Sequence, residues 1–212
     1  MPYGNANETV IDLVKEVVPV VEKIPVIAGV CGTDPFLNLD RFFREITTLG
    51  VLGIQNFPTV GLIDGDFRRA LESTGISYQA EVRMIERASE YGFLTMPYVF
   101  DKKQARLMAE AGADFLVIHF GLTAGGLIGE NSPISIKEAT DRVAEIIQAV
   151  SSVDPCPALL CHGGPVSDPE DLRAVLAIRP ELAGFVGASS IERIPTERGI
   201  IERVAAFRGI AN

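Results

Sequence analysis

The 212-residue sequence has no tryptophan, only two histidines and only three cysteines. The cysteines, Cys31, Cys156 and Cys161, form no CxxC pair and are odd in number, which argues against a disulfide scaffold and suits a reducing compartment. No apolar run is long enough for a membrane-spanning helix. The opening MPYGNANETV has no basic stretch leading into an apolar core, so it does not read as a secretory signal. A cytoplasmic setting is expected. Positive charge is also scarce: 19 Lys and Arg stand against 28 Asp and Glu, for a net charge of −9. Nucleic-acid and anionic-membrane surfaces need a basic patch, so neither is expected as a partner.

Hydrophobic residues make up 47% of the chain, enough for a sizeable core. They fall into short, nearly continuous runs at 24–30, 51–57, 92–100, 113–120, 158–161 and 184–188. Such runs mark strands buried on both faces, as in parallel sheets covered by helices. Amphipathic stretches separate them at 8–22, 39–49, 77–91, 102–111, 135–151, 169–178 and 196–207. Asp101 and the Asp168-Pro169 pair stand where helices start; Gly50, Gly92 and Gly112 stand where helices end. Strands alternating with helices imply right-handed βαβ units. The fold class expected is a parallel (β/α) barrel of TIM type, one domain over residues 1–212. A closed barrel has eight strands; six are visible, so the first β-α-β segment is expected to be absent. Exposed edges on such a sheet favour a homo-oligomer.

In these barrels, function gathers at the C-terminal ends of the strands. Both histidines fall there, His119 at the close of one run and His162 just after the next. Imidazole at such a position acts as general acid, general base or donor to a developing enolate. No third ligand is fixed by spacing, so no metal site is read from the residues. Gly163, Gly164, Gly187, Ser189 and Ser190 close the last two runs, where small residues let backbone amides approach an anion. Arg193 lies just beyond. The glycine-rich stretch 121–129 matches no nucleotide fingerprint and has the length of a lid. Asp34 and Asp101 read as helix caps.

The phrases AGVCGTDP at 28–35, GIQNFPTVGLID at 53–64, CHGGP at 161–165 and GASSIER at 187–193 together resemble the phosphoenolpyruvate hydrolase-like TIM-barrel family, over essentially the whole chain. The resemblance implies a pyruvate/phosphoenolpyruvate-binding barrel. Its substrate would be a small phosphorylated or phosphono 2-oxo/enol acid, cleaved by a hydrolase or lyase. For such a substrate, the strand-end positions put forward His119, His162 and Asn56 as the catalytic candidates. Thr59 orients the substrate, and Gly163, Gly164, Gly187, Ser189 and Ser190 hold its anionic group. The wider superfamily also implies a divalent cation such as Mg²⁺, held by paired acidic residues at strand ends that this sequence does not display. The alternative is a non-catalytic metabolite-sensing or signal-transduction module.

Overall fold

The computed structural model describes residues 4–131 and 133–210. The chain divides into two compact units: Met1–Leu116 with Gln148–Ala158, and Val117–Ile147 with Leu159–Asn212.

The first unit runs α1 (Ala6–Val17), β1 (Ile27–Gly29), α2 (Leu39–Thr48), β2 (Gly53–Gln55), α3 (Gly65–Ser73), α4 (Tyr78–Glu90), β3 (Leu94–Thr95), β4 (Tyr98–Val99) and α5 (Lys102–Glu110). Side-chain oxygens start its helices by accepting otherwise orphaned amides. Asn5 takes those of Asn7 and Glu8, Asn38 that of Arg41, Ser77 that of Ala80, and Asp101 that of Gln104. Gly50, Gly92 and Gly112 follow α2, α4 and α5 with φ of +90°, +82° and +83°, the left-handed turn that stops a helix. Strands β1, β2 and β3 pair in parallel and in that order, Ile27 beside Gly53 and Gly53 beside Leu94. Phe43 is fully buried, with its ring centroid 5.2 Å from Phe93 and 5.4 Å from Tyr91. Burying a side chain of that size stabilises the fold by roughly 1.5–3 kcal/mol.

Strand β5 (Phe115–His119) leads into the second unit. It is followed by α6 (Ile136–Val150), β6 (Ala158–His162), α7 (Pro169–Ile178), β7 (Gly184–Val186) and α8 (Ile194–Arg208). The strand order is β5-β6-β7, and β6 pairs with β7 in parallel, Cys161 beside Phe185 and His162 beside Val186. Helix α7 opens with a capping box in which Asp168 and Asp171 reciprocate. The architecture is therefore α/β with parallel strands, as the alternating pattern implies.

Four details differ from the sequence reading. The run 92–100 is two strands, β3 and β4, because Pro97 between them has no N–H to continue a ladder. Helix α3 occupies a stretch without clear patterning; it buries none of its residues, so no apolar stripe was needed to form it. Helix α1 ends at Val17 and passes into a 3-10 turn, Val18–Val20, that contains Pro19. Asp34 caps no helix. Its carboxylate accepts from Phe36 N at 2.9 Å and from the side-chain amides of Asn5 and Asn7, which together hold it below the usual range.

Candidate functional site

Strands β5 and β6 are neighbours, and each ends in a buried histidine. His119 is 4% exposed and His162 8%. Their ring centroids lie 4.7 Å apart, with the planes inclined by 62°. Backbone partners assign the tautomers. Gly121 N–H donates to His119 Nδ1 at 3.1 Å, so that nitrogen is bare and the neutral ring carries its proton on Nε2. His162 Nδ1 lies 2.7 Å from the Val186 carbonyl oxygen, which can only accept. Nδ1 of His162 therefore bears the proton, and its Nε2 holds the lone pair. Burial pushes His119 down to about 3, with His162 and Arg142 adding repulsion against its protonated form. Burial also lowers His162, opposed by its bond to Val186. The result is two adjacent neutral imidazoles of opposite tautomer. Arg142 of α6 closes the back of the pair by donating from Nη1 to the His119 carbonyl oxygen at 3.0 Å.

The small residues beyond these strand ends are held close to other backbone. Gly163 and Gly164 have φ of +71° and +56°. A Cβ on Gly163 would meet the Gly121 carbonyl oxygen at 2.4 Å, and one on Gly164 would meet Phe120 Cβ at 2.6 Å. Gly164 N–H donates to Gly121 O at 2.9 Å. This turn thus needs glycine in order to seat the end of β6 on the end of β5. At Gly187 the Ile191 side chain lies across the backbone, so a Cβ there would meet Ile191 Cδ1 at 2.2 Å. The Ser189 carbonyl accepts Ile194 N–H at the entry to α8. The Ser190 hydroxyl is sealed from solvent with no hydrogen-bond partner among the described residues. The 121–129 loop is fastened to α8: Arg193 donates to Gly125 O at 3.2 Å, and Glu197 accepts from Leu127 N at 2.8 Å.

Asn56 and Thr59 belong to the first unit and meet at a residue the strand-end argument passes over. Glu81 of α4 is fully buried. It accepts from Asn56 Nδ2 at 2.6 Å, Thr59 Oγ1 at 2.7 Å and Val60 N at 2.7 Å. Asn56 Oδ1 in turn accepts Tyr98 N–H at 2.7 Å, and Thr59 Oγ1 accepts Gly61 N–H at 3.0 Å. Burial pushes Glu81 up to about 7, against the pull of its three donors and of Arg68. The signal for Glu81 was available in the spacing. Tyr78, Glu81, Ile85 and Ala88 follow one another at helical intervals on the buried stripe of α4.

A family model described as phosphoenolpyruvate hydrolase-like matches residues 1–210. The chain belongs to the phosphoenolpyruvate hydrolase-like family. Two tomato (Solanum lycopersicum) relatives, ToMV susceptible protein tm-1(GCR26) and ToMV resistance protein Tm-1(GCR237), are each 46% identical over 211 residues. The match takes in 100% of this chain but 28% of each relative, so the chain spans less than a third of their length. Among solved structures, a NadC deletion mutant aligns with a TM-score of 0.38 and 14% identity, over 90% of this chain and 58% of that one. Among the described residues of this family member, no group of three or more His, Cys, Asp or Glu side chains is placed to hold a metal ion.

Proposed function

We propose that this chain is a TIM-type barrel module that cleaves a small phosphorylated or phosphono 2-oxo/enol acid, with His162 as its base and His119 as the electrophilic donor to the developing enolate. The carrying observation is the pair itself: adjacent neutral imidazoles at two strand ends, one with its proton on Nε2 and the other with its lone pair there. For an enol phosphate, His162 Nε2 takes a proton from a water as that water attacks phosphorus. The bond from phosphorus to the enol oxygen breaks, and His119 Nε2–H donates a hydrogen bond to the departing enolate oxygen while keeping its proton. Ketonisation then takes up at carbon the proton held by His162, which returns to its neutral state and leaves a 2-oxo acid and phosphate. The anionic end is assigned to the backbone around Gly163, Gly187 and Ser189. Asn56 and Thr59, spent on Glu81, act as positioning residues for the turn after β2. The unpaired cysteines suit a cytoplasmic setting. The exposed Ile200, Val204 and Phe207 of α8 suit self-association.

The test is release of phosphate and 2-oxo acid from phosphoenolpyruvate and from phosphonopyruvate. His119→Asn and His162→Asn should each lower the rate by about a hundredfold or more, the usual worth of a general base or of a donor to a developing oxyanion, with the melting temperature little changed. No release from either compound, or full activity in both variants, would overturn the reading. A binding module without turnover is favoured by one observation, the near-complete sealing of both rings. A ligand that raises the melting temperature yet stays intact decides for it.

A further inference from the structure

The loop between β5 and α6 takes no part in the proposed reaction, yet it starts at the histidine pair. None of residues 121–131 is buried. Its large apolar side chains, Leu122, Leu127 and Ile128, all stand in water, so apolar burial does not hold it in place. Polar contacts do. At the root, Gly121 O accepts from Gly164 N at 2.9 Å, and Ala124 N donates to Gly164 O at 3.0 Å. Glu130 N donates to Thr123 O at 3.1 Å and closes the tip into a ring. That ring is tightly folded: a Cβ on Gly129 would meet Gly125 O at 1.9 Å. Residues 123–130 therefore move as one body.

The ring is fastened by an ion pair at the start of α8. Arg193 Nη1 lies 3.0 Å from Glu197 Oε1, with the two side chains only 18% and 17% exposed. Each partner also grips the loop, Arg193 through Gly125 O and Glu197 through Leu127 N. Gly126 packs against the pair: a Cβ there would stand 2.4 Å from both Arg193 Nη1 and Glu197 Oε2. An ion pair this far out of water differs from a surface pair, because removing one partner leaves the other charge uncompensated. The root of the loop meets the imidazoles. Gly121 N–H bonds His119 Nδ1, and a Cβ on Gly163, beside Gly121 O, would lie 3.8 Å from His119 Cε1. Both rings are nearly sealed, so a small molecule reaches them only after something at the strand ends moves. The stretch suited to move buries nothing and turns on Gly121, Gly125 and Gly126, with φ of +118°, +77° and +74°.

We propose that residues 121–130 are a gate over the histidine pair and that the Arg193–Glu197 ion pair is its latch. Releasing the latch lets the ring 123–130 lift and opens the imidazoles to small molecules. This rests on the histidine pair being the site, and it says how a substrate enters; it does not require turnover. The experiment therefore uses no substrate. Diethyl pyrocarbonate attacks the bare nitrogen of a neutral imidazole, Nε2 in His162, and the chain has only two histidines, so ultraviolet absorbance reads this pair alone. Labelling of the full chain at neutral pH is compared with hydrogen exchange at the Leu127 amide. Glu197→Gln and Arg193→Gln remove one charge of the latch; Gly126→Ala pushes the loop off an intact pair. Each should speed labelling and Leu127 exchange by about tenfold or more, while the β5 amides keep their protection. Arg193→Lys, which keeps the charge toward Glu197 and loses the fork to Gly125 O, should fall between wild type and Arg193→Gln. Should the glycine variant fail to fold, the two latch variants decide. Leu127 exchange unchanged in both overturns the latch. Faster exchange with labelling unchanged overturns the gate, as does faster labelling matched by loss of β5 protection, or wild-type labelling as fast as that of free imidazole. A chain that releases no phosphate yet labels as expected loses the reaction and keeps the gate.

Discussion

Replacing Glu81 should do more than remove a side chain, because three buried donors depend on it. In Glu81→Ala, Asn56 Nδ2, Thr59 Oγ1 and Val60 N lose their acceptor in a region where Asn56 is 0%, Val60 5% and Thr59 8% exposed. A buried donor left unsatisfied costs about 1–3 kcal/mol. Counting only the two amide donors gives about 2–6 kcal/mol, a large share of the 5–15 kcal/mol typical of a whole domain. Glu81→Gln keeps one acceptor but turns an NH₂ toward either Val60 N–H or the Asn56 and Thr59 donors, for about 1–3 kcal/mol. The two states also differ in their response to pH. Burial raises the Glu81 carboxyl from 4.5 to about 7. Between those values the folded chain keeps a proton that the unfolded chain has released. This contribution is therefore fully present below pH 4.5 and is lost as pH rises through 7, at up to about 1.4 kcal/mol per pH unit and about 3 kcal/mol in all. Glutamine has no such proton, so the stability gap between wild type and Glu81→Gln should narrow over that window. Urea unfolding followed by circular dichroism from pH 4.5 to 8 measures the gap directly. Parallel curves for the two proteins, or a Glu81→Ala variant within about 1 kcal/mol of wild type, would refute the reasoning.

His119 should show the opposite sign. Its folded value of about 3 lies below the ordinary 6.5, so stability is fully present above pH 6.5 and is lost as pH falls toward 3; His119→Gln should flatten that acid limb in the same unfolding assay. Gly164→Ala combines a φ of +56° with a Cβ 2.6 Å from that of Phe120, and should cost at least about 1–3 kcal/mol in thermal denaturation. Asp168→Ala removes the cap of α7 and should cost about 1 kcal/mol, with exchange of the Glu170 and Asp171 amides speeding up most.

The parallel α/β class was legible because two periodicities alternate along the chain and because polar residues mark where helices begin. Asp101 and Asp168 cap α5 and α7 where their sequence positions imply. Asp34 has the same chemistry without the same outcome. A side-chain oxygen that serves a helix start serves equally well to close a loop, and here Asn5 and Asn7, 29 and 27 residues away in sequence, supply its donors. Helix α3 escaped notice for a related reason. Periodicity reports a buried face, and α3 has none; its Arg68 instead donates to the carbonyls of Val60 and Ile63 and pairs with Glu72.

At the site, scarcity made the histidines visible: two in the whole chain, both closing apolar runs. Glycine was a less discriminating signal. A backbone that must approach an anion and a backbone that must approach another backbone both exclude a Cβ, and around Gly163 and Gly164 it is the latter contact that is present. Glu81 was hidden by the habit of assigning charged residues to solvated faces, although its spacing on α4 places it inward. What no one-dimensional pattern carries is the tautomer of each ring. His162 owes its basic Nε2 to the Val186 carbonyl, which reaches Nδ1 because β7 pairs with β6 in the register His162 beside Val186. A slip of one residue in β7 would offer that ring a different backbone group. Strand β7 has only three residues, none fully buried, so its hydrophobic pattern holds that register weakly. The basic Nε2 of His162 therefore rests on the segments that flank β7: before it, buried Leu182 and then Ala183, whose N–H donates to the Leu159 carbonyl at 2.8 Å, and after it the turn in which Ala188 O accepts Ile191 N–H, opened by Gly187.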